Sequence, residues 1–98
     1  MNAKTFKIKT NDGTMRECEQ LATFAAYVQN IQFRFVVIKD GFDVSLTHRN
    51  SGSRVARIDN GQIMAARGDY ELAGRSALKS VIDRAGEARV RSVLSAAE

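Results

Sequence analysis

The chain holds one histidine, His48, and one cysteine, Cys18, the side-chain types that most often supply a nucleophile, a general base or a metal ligand. They fall in different predicted elements, and no His/Cys spacing of a metal site accompanies them. His48 is therefore expected to pack near Phe33, and Cys18 to be a buried structural thiol on the apolar side of its element. Residues 68–76, ending in Gly74-Arg75-Ser76, echo a phosphate-binding loop. Five residues rather than four separate the glycines, and arginine stands where lysine belongs. The carboxylates do not pair up either: Asp40 reads as a turn residue, Asp69 as a helix cap, and Asp83 and Glu87 as members of a solvated helix face. No catalytic, cofactor-binding or metal-ligating set is indicated, and no small-molecule substrate.

The cations are more informative. Lys7, Lys9, Arg34, Arg49, Arg54 and Arg57 fall where a sheet face and a hairpin tip would display them, a surface suited to phosphates or to an acidic partner. Arg75 and Lys79, with Arg89 and Arg91 further on, could form a second basic stripe along a helix, diluted by Glu71, Asp83 and Glu87. The net charge of +4, from 15 basic against 11 acidic residues, is modest and does not by itself demand a polyanion. The phenylalanines Phe33, Phe35 and Phe42 fall on the expected core side, which leaves no aromatic platform for stacking bases.

What must position these side chains is the stretch 32–67, which three turn signals divide into four short strands. With Asp40-Gly41 as a two-residue type I′ loop, Val37 faces Val44, Phe35 faces Leu46 and Phe33 faces His48, so Phe33, Phe35, Val37, Phe42, Val44 and Leu46 share a side. Gln32, Arg34, Val36 and Ile38 with Asp43, Ser45, Thr47 and Arg49 make an opposite face that can meet water. A three-residue loop, Asn50-Ser51-Gly52 with Gly52 left-handed, pairs Leu46 with Ala56 and Val44 with Ile58. Asn60-Gly61 reads as a further I′ turn that pairs Ile58 with Ile63.

Before this meander, residues 4–10 alternate as a half-buried strand with Phe6 and Ile8 on one side, and Asn11-Asp12-Gly13 ends it. Thr14 and Glu17 match a capping box, and Cys18, Leu21, Ala22, Ala25 and Val28 recur at helical spacing, which predicts a helix over 15–29 ended by Asn30. The alternative is a hairpin through Asn11-Asp12-Gly13 into a strand from Thr14 to Cys18. After the meander, Asp69 caps a helix carrying Tyr70, Ala73, Ala77, Leu78, Val81, Ile82 and Ala85. Gly86 interrupts it, and Val90, Val93, Leu94 and Ala97 form a further stripe. The order across 18–82 resembles that of double-stranded-RNA-binding domains in topology alone. The later helix opens on Asp69, Tyr70 and Glu71 rather than on the lysines those domains set against phosphate, so no family is assigned.

The 98 residues, 44% hydrophobic and 27% charged, form one α+β domain over 1–98, an antiparallel sheet with helices packed on one face. No run of about 18 apolar residues is present, and no secretory signature opens the chain, so a cytoplasmic protein with no membrane partner is expected. The expected function is that of a small non-enzymatic binding protein of accessory, regulatory or inhibitor type. It would contact a protein, its own copy included, through edge strands and the stripe Val90, Val93 and Leu94. The alternatives are sequence-nonspecific binding of DNA or RNA on the basic face, and homo-oligomer formation with no further activity.

Overall fold

The structure, a computed structural model, describes residues 4–9 and 12–98; Thr10 and Asn11 of the predicted first strand and turn lie outside the described residues. The elements run β1 (Thr5–Lys9), β2 (Met15–Val28), β3 (Ile31–Asp40), β4 (Asp43–His48), β5 (Arg54–Ile58), α1 (Asn60–Ala65), α2 (Tyr70–Ala85) and α3 (Glu87–Ala97). The five strands form an antiparallel sheet in chain order, and the helices follow it. The class is α+β, as the patterning predicts. Two segments differ from expectation: 15–28 is a strand rather than a helix, and 60–65 is a helix rather than a tight turn leading into a strand.

The hairpin alternative holds at the first turn. Gly13 takes φ +84°, and the Asp12 carboxylate accepts from the Thr14 backbone N–H at 3.1 Å and from its hydroxyl at 2.7 Å. That bonding turns the chain back instead of opening a helix. Phe6 then pairs with Cys18 and Lys7 with Glu17. The helical spacing that misleads here has a physical origin. The β2–β3 register slips between Gln20 and Ala22, a bulge at Leu21. Residues Cys18 and Gln20 before the slip face one side of the sheet, whereas Ala22, Phe24, Ala26 and Val28 after it face the other. A period-two strand with one phase slip imitates the 3.6-residue period of a helix. The order resembling double-stranded-RNA-binding domains disappears with the helix.

Asn30 is a turn residue, not a helix stop: Gln29 and Asn30 both have positive φ, 47° and 68°, between paired Val28 and Ile31, the pattern of a type I′ hairpin loop. The β3–β4 loop is Gly41-Phe42, because Asp40 pairs with Asp43, and only Gly41 has positive φ, 63°. Phe35 therefore faces His48 and Val37 faces Leu46. That is two residues from the expected register, and an even shift leaves every side chain on its predicted face. Phe42 is the exception; it sits at the tip, 101% exposed, and contributes nothing to the core. The β4–β5 hairpin has the expected register at Leu46 with Ala56 and Val44 with Ile58, but slips between Leu46 and Thr47, so that Thr47 pairs with Arg54 and Val55, expected on the far face with Arg57, packs on the main core; Gly52 takes φ +72°.

At Asn60-Gly61 a capping box decides against a turn. The Asp59 carboxylate accepts from the Gln62 N–H at 2.7 Å, and the Gln62 side chain accepts from the Asp59 N–H at 3.1 Å. Asp69 caps α2 in the predicted way, accepting from the Leu72 N–H at 3.1 Å. Phe24, Val28, Phe33, Phe35, Val37, Val44, Leu46 and Ile58 meet Ala73, Ala77, Leu78, Val90 and Leu94 in the main core on the helix-covered face. Gly74 lets α2 lie flat on the sheet, since a Cβ there would stand 2.7 Å from a Val37 methyl and 2.8 Å from the Phe24 ring.

The opposite face is not simply solvated. Beyond Leu21 the β1–β2 hairpin curls over it, so that Phe6 and Ile8 pack on buried Cys18, Val36 and Ile38 in a smaller second core. The Lys9 N–H donates to the Gly52 carbonyl at 3.1 Å, pinning the end of β1 to the β4–β5 loop.

Candidate interaction surfaces

The six cations expected on one platform are divided by this curl. Phe6 and Ile8 turn inward and Lys7 projects from the other side of β1, beside Glu17 across the ladder, whereas Lys9 at the strand's end borders the concavity on the helix-free face. Arg34 and Arg57 share the helix-free face with Ser45 and Thr47, but Arg57 pairs with Asp43 at 2.8 Å. Arg16, on β2, pairs with Asp40 at 3.2 Å. Arg49 continues the hairpin, its N–H bonded to the Arg34 carbonyl at 3.0 Å. Arg54 pairs with Thr47 across the ladder and stands between two concavities, one on each side of the sheet. The result is a set of separate cations interleaved with carboxylates rather than the continuous basic surface the strand pattern suggested. On α2, Arg75 is bound to Glu71 at 3.1 Å and lies 4.7 Å over the Phe24 ring, so it anchors the helix to the core.

The terminal stripe is largely spent within the chain. Val90 and Leu94 are buried in the main core, whereas Val93 stays 61% exposed. Between α2, α3 and the start of β5 lies an apolar groove of about 270 Å³ lined by Val55, Val81, Val90, Val93, Leu94 and Ala97, with Arg54 and Arg89 at its rim. Beside it runs β5, whose outer edge is the end of the sheet.

His48 is buried, 1% exposed, at the head of this groove. Its Nδ1 lies 2.8 Å from the Ser51 hydroxyl and its Nε2 lies 3.3 Å from a Glu98 carboxylate oxygen. The other Glu98 oxygen accepts from the Asn50 amide. A serine, a ring and a carboxylate in line resemble a hydrolytic relay, but the donors beside the serine are occupied. The Ser53 N–H donates to Ser51 Oγ at 3.2 Å, and the Gly52 N–H donates to the His48 carbonyl at 2.9 Å. Those two N–H groups are therefore not free to meet an oxyanion at Ser51. The cluster instead ties the end of α3 to the hairpin loop. Sequence spacing could not have found it, because Ser51 and Glu98 meet His48 only through the fold.

No family model, curated protein or solved structure matches this chain.

Cys18 and His48 are not brought together; they belong to opposite faces of the sheet. Burial pushes the Cys18 thiol up from its ordinary value of 9.0, the Asp40 carboxylate adds to the rise, and the Arg16 guanidinium opposes it. It is a protonated, packed thiol at neutral pH. Among the described residues no group of three or more His, Cys, Asp or Glu side chains converges as a metal site would require, and no helix is long and apolar enough to cross a membrane.

The second concavity lies on the helix-free face. Its floor is β3 to β5 and its wall is β1, enclosing about 510 Å³ among Ile8, Ile38, Asp40, Asp43, Ser45, Thr47, Gly52 and Arg54. The curl of β1 creates this trough; a flat sheet face, as the alternation alone implies, would have none.

Proposed function

We propose that this protein is a small binding protein that works by contact with another polypeptide, its own copy or a different chain. The observation that carries this is the juxtaposition of the sheet's terminal strand β5 with the apolar groove under Val93. An added strand would satisfy the outer backbone groups of β5, and the groove would take an apolar side chain from it. Val93 supplies exposed apolar surface at that place.

Binding of DNA or RNA draws less support, because Arg57 and Arg16 are engaged by Asp43 and Asp40 and Lys7 stands beside Glu17. The two are separated on a nucleic-acid column and by light scattering. Contact with protein predicts weak retention that the Arg34→Glu, Arg57→Glu double variant does not alter. Retention that is strong, falls steeply with salt and vanishes in that variant would favour the polyanion instead.

A further inference from the structure

We infer that the trough on the helix-free face is a binding site for a small anionic polyol, a sugar phosphate or a sugar acid. This goes beyond the protein contact proposed above, which uses the other side of the sheet. Three observations carry it. Ser45 and Thr47 on its floor are only 4% and 1% exposed. Among the described residues their hydroxyls make no hydrogen bond, and no buried side-chain oxygen there is both sealed from solvent and unpartnered. Both hydroxyls therefore open on the trough they line. A buried hydroxyl left to solvent in a concavity is a ready partner for a ligand.

The trough is also polar along its length. Asp43, Ser45 and Thr47 follow one another on one face of β4, about 13 Å from end to end at the usual strand rise. Asp40 and Asp43 stand at one end, and Arg54, opposite Thr47, stands at the other. The carboxylates accept hydrogen bonds from ligand hydroxyls, the serine and threonine accept or donate, and the guanidinium takes an oxyanion.

The charge balance favours an anion over a cation. Asp40 and Asp43 already hold Arg16 and Arg57. Among the described residues neither Arg54 nor Lys9, which also lines the trough, makes an ion pair, so the uncompensated charge there is positive. Ile8 and Ile38 give the carbon skeleton an apolar side to lie on. The volume falls within the range of about 300–1,000 Å³ usual for small-molecule sites.

The test is a titration of the whole chain, followed by amide NMR shifts, with ribose 5-phosphate, glucuronate, ribose, glucose and inorganic phosphate as probes. At least one of the two anionic polyols is expected to shift Ser45, Thr47 and Arg54 and to bind about tenfold or more tighter than the neutral sugars and phosphate, since a charge-assisted hydrogen bond is worth that factor. Which of the two binds distinguishes phosphate from carboxylate. Arg54→Gln should weaken that binding about tenfold while leaving any neutral-sugar binding unchanged. Arg34→Gln, on the same face outside the trough, should have no effect. The inference is overturned if neither anionic polyol binds at the trough, if phosphate or a neutral sugar binds as tightly, or if Arg34→Gln weakens binding as much as Arg54→Gln. Arg54 also rims the groove beside β5, so it is the shifts of Ser45 and Thr47, which line the trough alone, that keep this test separate from protein contact.

Discussion

The imidazole of His48 lies 3.3 Å from the carboxylate of Glu98, a residue 50 positions away, and so holds the last turn of α3 against the β4–β5 loop. Val90 and Leu94 seal the main core from the same helix. Glu98→Ala removes the acceptor for both His48 and Asn50. Because Glu98 is partly exposed, the cost should be about 1 kcal/mol. Hydrogen exchange of the amides in 90–97 should quicken relative to those of α2. Unchanged exchange would mean that apolar packing alone holds α3.

Gly74 marks the closest approach of helix to sheet. Alanine normally favours a helix, yet at this position its Cβ would meet the Val37 and Phe24 side chains inside 3.0 Å. Gly74→Ala should therefore destabilise by about 1–3 kcal/mol through overpacking. Ser76→Ala, exposed on the same helix, should stay within about 0.5 kcal/mol of the parent. Urea unfolding of the two variants measures both.

The bulge at Leu21 sets which face each half of β2 presents. Deleting Leu21 forces either Cys18 or Phe24 to the wrong side, and the loss should exceed about 3 kcal/mol. Leu21→Ala keeps the count of residues and should cost about 1–2 kcal/mol, since Leu21 is only partly buried. Equal losses in the two variants would show that phase, as opposed to packing, is not what Leu21 supplies.

These particulars explain what the sequence could and could not reveal. The faces of β3 and β4 were legible because turn residues and alternation agree there, and a register error of two preserves a face; at the start of β5 a register slip puts Val55 on the side alternation does not give it. β2 was not, because one bulge converts alternation into apparent helical spacing. α1 carried a readable signal in Asp59 and Gln62, overshadowed by the turn preference of Asn60-Gly61. The separation of the cations had no local signature, since it depends on the curl of β1 over Val36 and Ile38. The trough depends on that same curl, and the His48 cluster on a contact with Glu98 from 50 positions away, so neither has a local signature.

Cys18 gives a prediction in alkali. Its folded pKa lies above the ordinary 9.0, for which burial is the leading cause. As pH rises through 9.0 the unfolded thiol loses its proton first, so the unfolded chain binds fewer protons than the folded one and stability falls. The fall ends once the folded thiol ionises too. The difference in melting temperature between the parent and Cys18→Ala should be constant below that window and shift in favour of the variant within it. A difference that does not change with pH would show that the thiol contributes no such linkage.

The most direct test of contact through β5 and its groove is a photo-crosslinking amino acid placed at position 93, compared with the same group at exposed position 79 on α2, in the cells that make the protein. Contact through β5 gives an adduct from position 93 that survives nuclease, is destroyed by protease and is absent from position 79; its mass tells a second copy from another chain. An adduct that nuclease removes, or equal labelling at the two positions, would contradict it.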